Sequence, residues 1–177
     1  MPGYQGLQEF EHGRMPRLGV VLVNLGTPES PTPGAVRRYL AEFLSDPRVV
    51  EIPRLVWKVI LHGIILRVRP KKSAHAYASV WTDQGSPLMA ISQALTQKVQ
   101  EQLVHSVPGP VSVELAMRYG EPAIGPVLRK LQEQGMERLL VLPLYPQYSG
   151  ATTGSVADAV FASLGRWRWV PELRLMG

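Results

Sequence analysis

Leu139 to Ser155 reads L-L-V-L-P-L-Y-P-Q-Y-S-G-A-T-T-G-S, and this stretch decides the fold. It opens as an uninterrupted apolar run, the pattern of a strand buried on both faces of a parallel sheet. Pro143 and Pro146 end that strand, because proline donates nothing to a hydrogen-bond ladder and restricts the residue before it. Tyr148-Ser149-Gly150 makes a polar turn, and Thr152-Thr153-Gly154-Ser155 leads into V-A-D-A-V-F, a helix with hydroxyl groups at its start. A strand ending in two tyrosines, beside a helix start with free N–H groups, lies where open α/β sheets bind ligands.

Working outward, the same grammar recurs twice. Leu18 to Leu25 (L-G-V-V-L-V-N-L) is an apolar strand closed by Gly26-Thr27-Pro28, and Ser30 or Thr32 caps a helix running to Phe43. Val111 to Met117 is a third strand, ended by Arg118-Tyr119-Gly120. There Glu121-Pro122 opens a helix to Gln134 that Gly135 stops. Arg166 to Leu175 reads as a loop into a fourth strand. Right-handed crossovers make such a sheet parallel and bring Leu25-Gly26, Arg118-Tyr119 and Tyr145 to Ser149 to one rim. The fold expected is therefore α/β, a doubly wound parallel sheet of about four strands flanked by helices. Residues 1–17 read as a loose arm, and 18–177 as one domain.

Composition narrows the function. A chain of 177 residues can bury a substantial core, and zero cysteines exclude disulfides, zinc ribbons and cysteine-held clusters within it. The net charge of +5 is spread over dispersed residues such as Arg37, Arg67, Lys71 and Arg166, with no nucleic-acid-binding motif. Attraction to an anionic ligand or an anionic membrane surface is the use expected of that charge, and no nucleic-acid partner is expected. The first sixteen residues carry no apolar signal core, and the apolar segment Val59 to Leu66 falls far short of the ~20 residues of a spanning helix. The expectation is a soluble, cytoplasmic chain.

Pro53 to Arg67 is apolar around too much of its circumference for a helix packed on one side. Either something apolar meets its outer face or it is a buried crossover helix, with His62 packed inside it. Arg69 to Lys72 reads as a basic loop, solvated or facing an acidic ligand, and a further helix is expected from about Leu88 to Val104. None of His12, His62, His75 and His105 follows a strand end, and no pair has the i, i+4 spacing of a metal site. Glu114 and Glu121 flank Arg118, with no histidine beside them in sequence.

Four motifs, in order, resemble those of ferrochelatases, the enzymes that insert ferrous iron into a porphyrin to make haem. They are N-L-G-T-P-E-S from Asn24, G-S-P-L from Gly85, M-R-Y-G from Met117, and L-P-L-Y-P-Q-Y-S from Leu142 followed by T-T-G-S. The resemblance runs from Leu18 onward and matches only the N-terminal half of the family. It implies a Rossmann-like (chelatase-like) domain with porphyrin contacts from Leu25, Arg69, Tyr77, Arg118, Tyr145, Tyr148, Ser149 and Thr152. Relative to the family pattern, this chain carries extra residues between Tyr77 and Gly85. Residues 53–67 would be the lip over the porphyrin, in peripheral contact with a membrane. The family's metal-binding histidine and its partner glutamate lie in the second half, so no catalytic residue and no metal ligand is expected here. The missing C-terminal domain would be a partner, the parent enzyme a lyase acting on Fe2+, and this piece alone inactive. Gly150 stands where cluster-bearing relatives have a cysteine, so neither an iron–sulfur cluster nor another cofactor is expected. The residues alone leave two other readings open: a stand-alone α/β module for a phosphate- or carboxylate-bearing ligand at the Thr152–Ser155 helix start, and a non-catalytic scaffold binding a membrane or partner through the lip.

Overall fold

The computed structural model describes Tyr4, Gly6, Gly13 and residues 15–177. Most of the expected arm, His12 included, lies outside the described residues. The chain runs β1 (Arg17–Asn24), α1 (Pro33–Leu44), α2 (Arg54–Ile60), a π-helical turn (Leu61–Ile65), α3 (Leu66–Ala78) and α4 (Pro87–Ser106). It continues through β2 (Val111–Met117), α5 (Ile124–Glu133), β3 (Met136–Pro143), a second π-helical turn (Gly150–Gly154), α6 (Ser155–Leu164) and β4 (Glu172–Leu175).

The four strands form one parallel sheet in the order β2-β1-β3-β4. Register places Val20 beside Val113 on one side and Leu140 on the other, so alternate residues of three strands share a face. Val21, Val23, Leu139 and Val141 point to a face sealed by α5 and α6, where Leu128, Leu131, Val156 and Val160 close the core. Val20, Leu22, Val111 and Val113 point to the opposite face and meet Val99 and Leu103 of α4. The apolar run of β3 reads as buried on both faces, and here the structure differs. Leu139 and Val141 are buried, whereas Leu140, Leu142 and Leu144 are only half-buried, because α4 packs on β1 and β2 and, among the described residues, no helix lies over β3 on that side.

Thr32 rather than Ser30 caps α1: its hydroxyl accepts from the Ala35 N–H at 3.4 Å, with Pro33 opening the helix. Helix α5 starts at Ile124, later than Glu121-Pro122 suggests. The Met117 N–H donates to the Pro122 carbonyl at 2.6 Å, which keeps that dipeptide folded back along the strand end.

The helical arm from Arg54 to Ala78 is not a buried crossover. It is fastened by Leu61 and Leu66, which pack with α1, and by the Trp57 indole N–H donating to the Leu44 carbonyl at 2.6 Å. Its outer side is bare: Leu55 is 84% exposed and Val59 72%. His62 is exposed rather than packed, and Arg69 to Lys72 belong to α3 instead of forming a loop. Among the described residues no helix is long and apolar enough to cross a membrane.

Candidate functional site at the carboxyl ends of the strands

The rim where β1, β2 and β3 end is built by backbone first. Past the last β1–β2 pairs the two chains stay together, with the Arg118 N–H donating to the Asn24 carbonyl at 2.8 Å and the Tyr119 N–H to Leu25 at 3.0 Å. This close approach requires Gly26. Its φ is 110°, and a Cβ there would stand 1.8 Å from the Tyr119 carbonyl oxygen. Leu25 is thus held at the rim, half-buried against the aromatic cluster beneath the helical arm.

Below it lies a polar knot. The Asp46 side chain, 4% exposed, follows α1 and accepts four hydrogen bonds. Oδ2 takes one from Arg118 Nη2 at 2.6 Å, one from the Tyr119 hydroxyl at 2.8 Å and one from the Ser155 hydroxyl. Oδ1 takes the Arg48 N–H at 2.7 Å. Arg118 Nε also donates to the Ser155 carbonyl at 3.0 Å and hydroxyl at 2.6 Å, so the knot ties β2, the α1–α2 loop and the start of α6 together. Burial pushes the Asp46 carboxyl up, but the Ser155, Arg48 and Tyr119 donors and the Arg118 charge outweigh it and hold the group below its ordinary value. Asp46 is therefore ionised at neutral pH.

Aromatic rings line the space between this knot and the arm. Phe43 stands edge-on to Tyr119 with centroids 5.0 Å apart, and Tyr77 of α3 stands edge-on to Tyr39 at 6.4 Å. The Tyr39 hydroxyl donates to the Gly26 carbonyl at 3.2 Å, and burial pushes this phenol well above its usual range. Tyr145, at the end of β3, packs against the α5–α6 core. Burial raises its phenol to about 12, partly offset by Arg118, so it is a neutral donor. Its hydroxyl, like Thr27 Oγ1 at the end of β1, is buried without a hydrogen-bond partner among the described residues. Buried hydroxyls are ordinarily satisfied, and two orphans at one strand edge mark a place where a ligand can supply partners.

The residues singled out from sequence divide into three groups. Leu25, Arg118 and Tyr145 sit at the rim, and Arg118 is 19% exposed, with Nε and Nη2 engaged by Ser155 and Asp46. Arg69 and Tyr77 come from α3, Arg69 exposed and close enough for its charge to act on the Tyr77 phenol. Tyr148 and Ser149 are exposed and Thr152 half-buried in a turn where Ser149 and Thr152 cap each other: the Ser149 N–H donates to Thr152 Oγ1 at 3.1 Å. Asp46, in the short run S-D-P after α1, and Ser155, at the hydroxyl-bearing start of α6, are not among the residues singled out from sequence. Only tertiary structure shows that an arginine 72 positions away shares their hydrogen bonds.

A groove of about 530 Å³ runs along the outer edge of β2, lined by Gln97, Gln100, Glu114 and Lys130. It lies along the strand rather than at its carboxyl end, and its charges are already paired, Lys130 to Glu114 at 2.7 Å. Among the described residues no three His, Cys, Asp or Glu side chains stand close enough to hold a metal ion.

Comparison with known proteins agrees with the motifs. The family profile described as Ferrochelatase matches residues 17–177. The chain is 57% identical over 173 residues to "Ferrochelatase" of Thioalkalivibrio sulfidiphilus, covering 98% of this chain and 47% of that one. It is 56% identical over 165 residues to "Ferrochelatase 2" of Shewanella oneidensis, covering 93% and 50%. With "Ferrochelatase" of Idiomarina loihiensis the identity is 51% over 173 residues, covering 98% and 48%. The chain spans about half the length of the curated relatives it matches.

Proposed function

The chain belongs to the ferrochelatase family as its N-terminal half, and from that premise we propose that it forms the porphyrin-holding part of an enzyme inserting Fe2+ into protoporphyrin. The observation that carries this reading is the pair of orphan buried hydroxyls, Thr27 and Tyr145, just past the carboxyl ends of β1 and β3, on the rim that also carries Leu25. A flat apolar ring with polar groups at its edge matches such a surface, apolar in the middle and donor-bearing at the margin.

The porphyrin carboxylates fall to Arg69 and to the part of Arg118 not engaged by Asp46 and Ser155. A guanidinium meets a carboxylate through two parallel hydrogen bonds. Tyr77, Tyr148, Ser149 and Thr152 border the same ligand. Metal insertion requires that two pyrrole protons leave, and so a base facing the ring. We assign that base and the metal ligands to the half of the family's length outside these residues. With no cysteine, this half supplies no thiolate to an iron–sulfur cluster. The exposed apolar side of α2, flanked by Arg54, Lys58 and Arg67, suits peripheral contact with an anionic bilayer.

The test is a fluorescence titration of the purified chain with protoporphyrin, with an organic phosphate as competitor. Saturable binding that phosphate does not displace is expected, along with no iron or zinc insertion by the chain alone. Absence of porphyrin binding, or displacement by phosphate, favours a phosphate-binding module at the start of α6 instead.

A further inference from the structure

We propose that the groove along the outer edge of β2 binds a short extended peptide segment with uncharged amide or hydroxyl side chains. β2 stands at one end of the strand order, so one side of its backbone has no strand beside it. Successive residues of a strand turn their N–H and C=O groups to opposite sides. The Pro110 carbonyl and the Arg118 N–H are bonded to β1, and the even-numbered residues between them face β1 likewise. Val111, Val113, Leu115 and Met117 therefore face outward.

Two devices cover the ends of that outward row. Gln100 Nε2 donates to the Val111 carbonyl at 3.3 Å, and Gln100 Oε1 accepts from the Val113 N–H at 2.7 Å. One side-chain amide thus stands in for a residue of a neighbouring strand. At the other end the Pro122 carbonyl accepts from the Met117 N–H at 2.6 Å. Being proline, Pro122 has no N–H to offer the Leu115 carbonyl. Between the two caps the Val113 carbonyl and the Leu115 N–H and carbonyl have no hydrogen-bond partner among the described residues. Yet Val113 and Leu115 are only 8% and 6% exposed, and buried backbone groups are ordinarily paired. An acceptor, a donor and an acceptor in a row are complementary to two N–H groups and one carbonyl of an extended chain. Three residues running in either direction supply them, which is strand addition at a sheet edge.

The walls decide the side chains. Gln93, Thr96 and Gln97 of α4 line one side of the groove, and Pro126 and Lys130 of α5 the other. Lys130 is paired with Glu114 at 2.7 Å, so the lining carries no unpaired charge. Side chains of an extended segment alternate between two such walls. Glutamine and threonine offer them neutral donors and acceptors, and a charged guest side chain would find no free opposite charge. The site is independent of porphyrin binding, and the two readings fail separately.

The probe is a capped pentapeptide of alternating threonine and glutamine, titrated into the isotope-labelled chain and followed by amide NMR. The Leu115 amide proton should move downfield saturably. Its hydrogen exchange should slow about tenfold at ten times the peptide's Kd, while Glu114 and Ala116, already bonded to β1, keep their rates. The same peptide methylated at every backbone nitrogen should do neither, having no N–H to donate. Gln97→Trp, at an exposed position, should leave Tm unchanged and abolish the peptide's effect by filling the groove. An unmoved Leu115 amide at about 10 mM peptide overturns the proposal, since the row is then satisfied by water alone. Equal effects of the methylated peptide, or undiminished effects in Gln97→Trp, overturn it as well, because the contact is then not strand addition in this groove.

Discussion

The Asp46 knot and the α2–α3 arm stand side by side and treat their side chains in opposite ways. In the knot polar groups face one another inside the protein: one carboxylate takes hydrogen bonds from Arg118, Tyr119, Ser155 and the Arg48 backbone. In the arm, Leu55, Val56 and Val59 face solvent with nothing apolar upon them. The first arrangement contributes to folding and leaves little for a ligand. The second contributes little to folding and leaves a surface free. A residue's reach toward the proposed ligand thus cannot be judged from its charge; it depends on whether its bonds are already made.

That contrast breaks most visibly at Asp46. Asp46→Ala strands a guanidinium and two hydroxyls with little access to water and should cost about 3–5 kcal/mol, read by denaturant unfolding. A loss below about 1 kcal/mol would mean that solvent reaches the knot. The pH dependence follows with a definite sign. The folded carboxyl lies below its ordinary value of 3.8, so its stabilisation is present above that pH and is lost as pH falls through the lower folded value. Asp46→Asn should therefore show a shallower loss of stability on acidification than the parent protein.

Gly26→Ala comes next, at about 1–3 kcal/mol, because its Cβ would meet the Tyr119 backbone at a positive φ. Melting by circular dichroism measures it, and an unchanged Tm would show that β1 and β2 part freely beyond their last pair.

Much of this was legible in the sequence. The parallel sheet, the rim and the family follow from three apolar runs, each closed by small or polar turn residues, and from the motifs at their ends. The Asp46 partnership was not legible, because hydrogen bonds between positions 46, 118 and 155 leave no periodicity. Nor was the half-cover of β3, since a run of apolar residues does not record which helix packs on which strand face. The continuity of α2, the π-helical turn and α3 was equally hidden: Arg69-Pro70-Lys71-Lys72 reads as a loop, but Pro70 is accommodated within the helix.

Smaller effects sharpen the other side of the comparison. Leu55→Ser with Val59→Ser should leave Tm nearly unchanged and weaken association with anionic vesicles in a sedimentation assay, since the two side chains are exposed. Trp57 is unsuited to that purpose because its indole is tied to Leu44. A large fall in Tm for the Leu55, Val59 pair would make the arm part of the core after all.

Arg69 and Arg118 bring the two regions into one experiment, the affinity of each alanine variant for a free-acid porphyrin and for its dimethyl ester. Arg118→Ala should lower both stability and binding, because its guanidinium holds Asp46 and Ser155 as well as facing the rim. Arg69→Ala should leave Tm in place, weaken the free acid by about tenfold and leave the ester unchanged, the loss of one charge-assisted contact. If Arg69→Ala weakens acid and ester equally, or neither, the carboxylate-bearing ring does not sit between the rim and the arm.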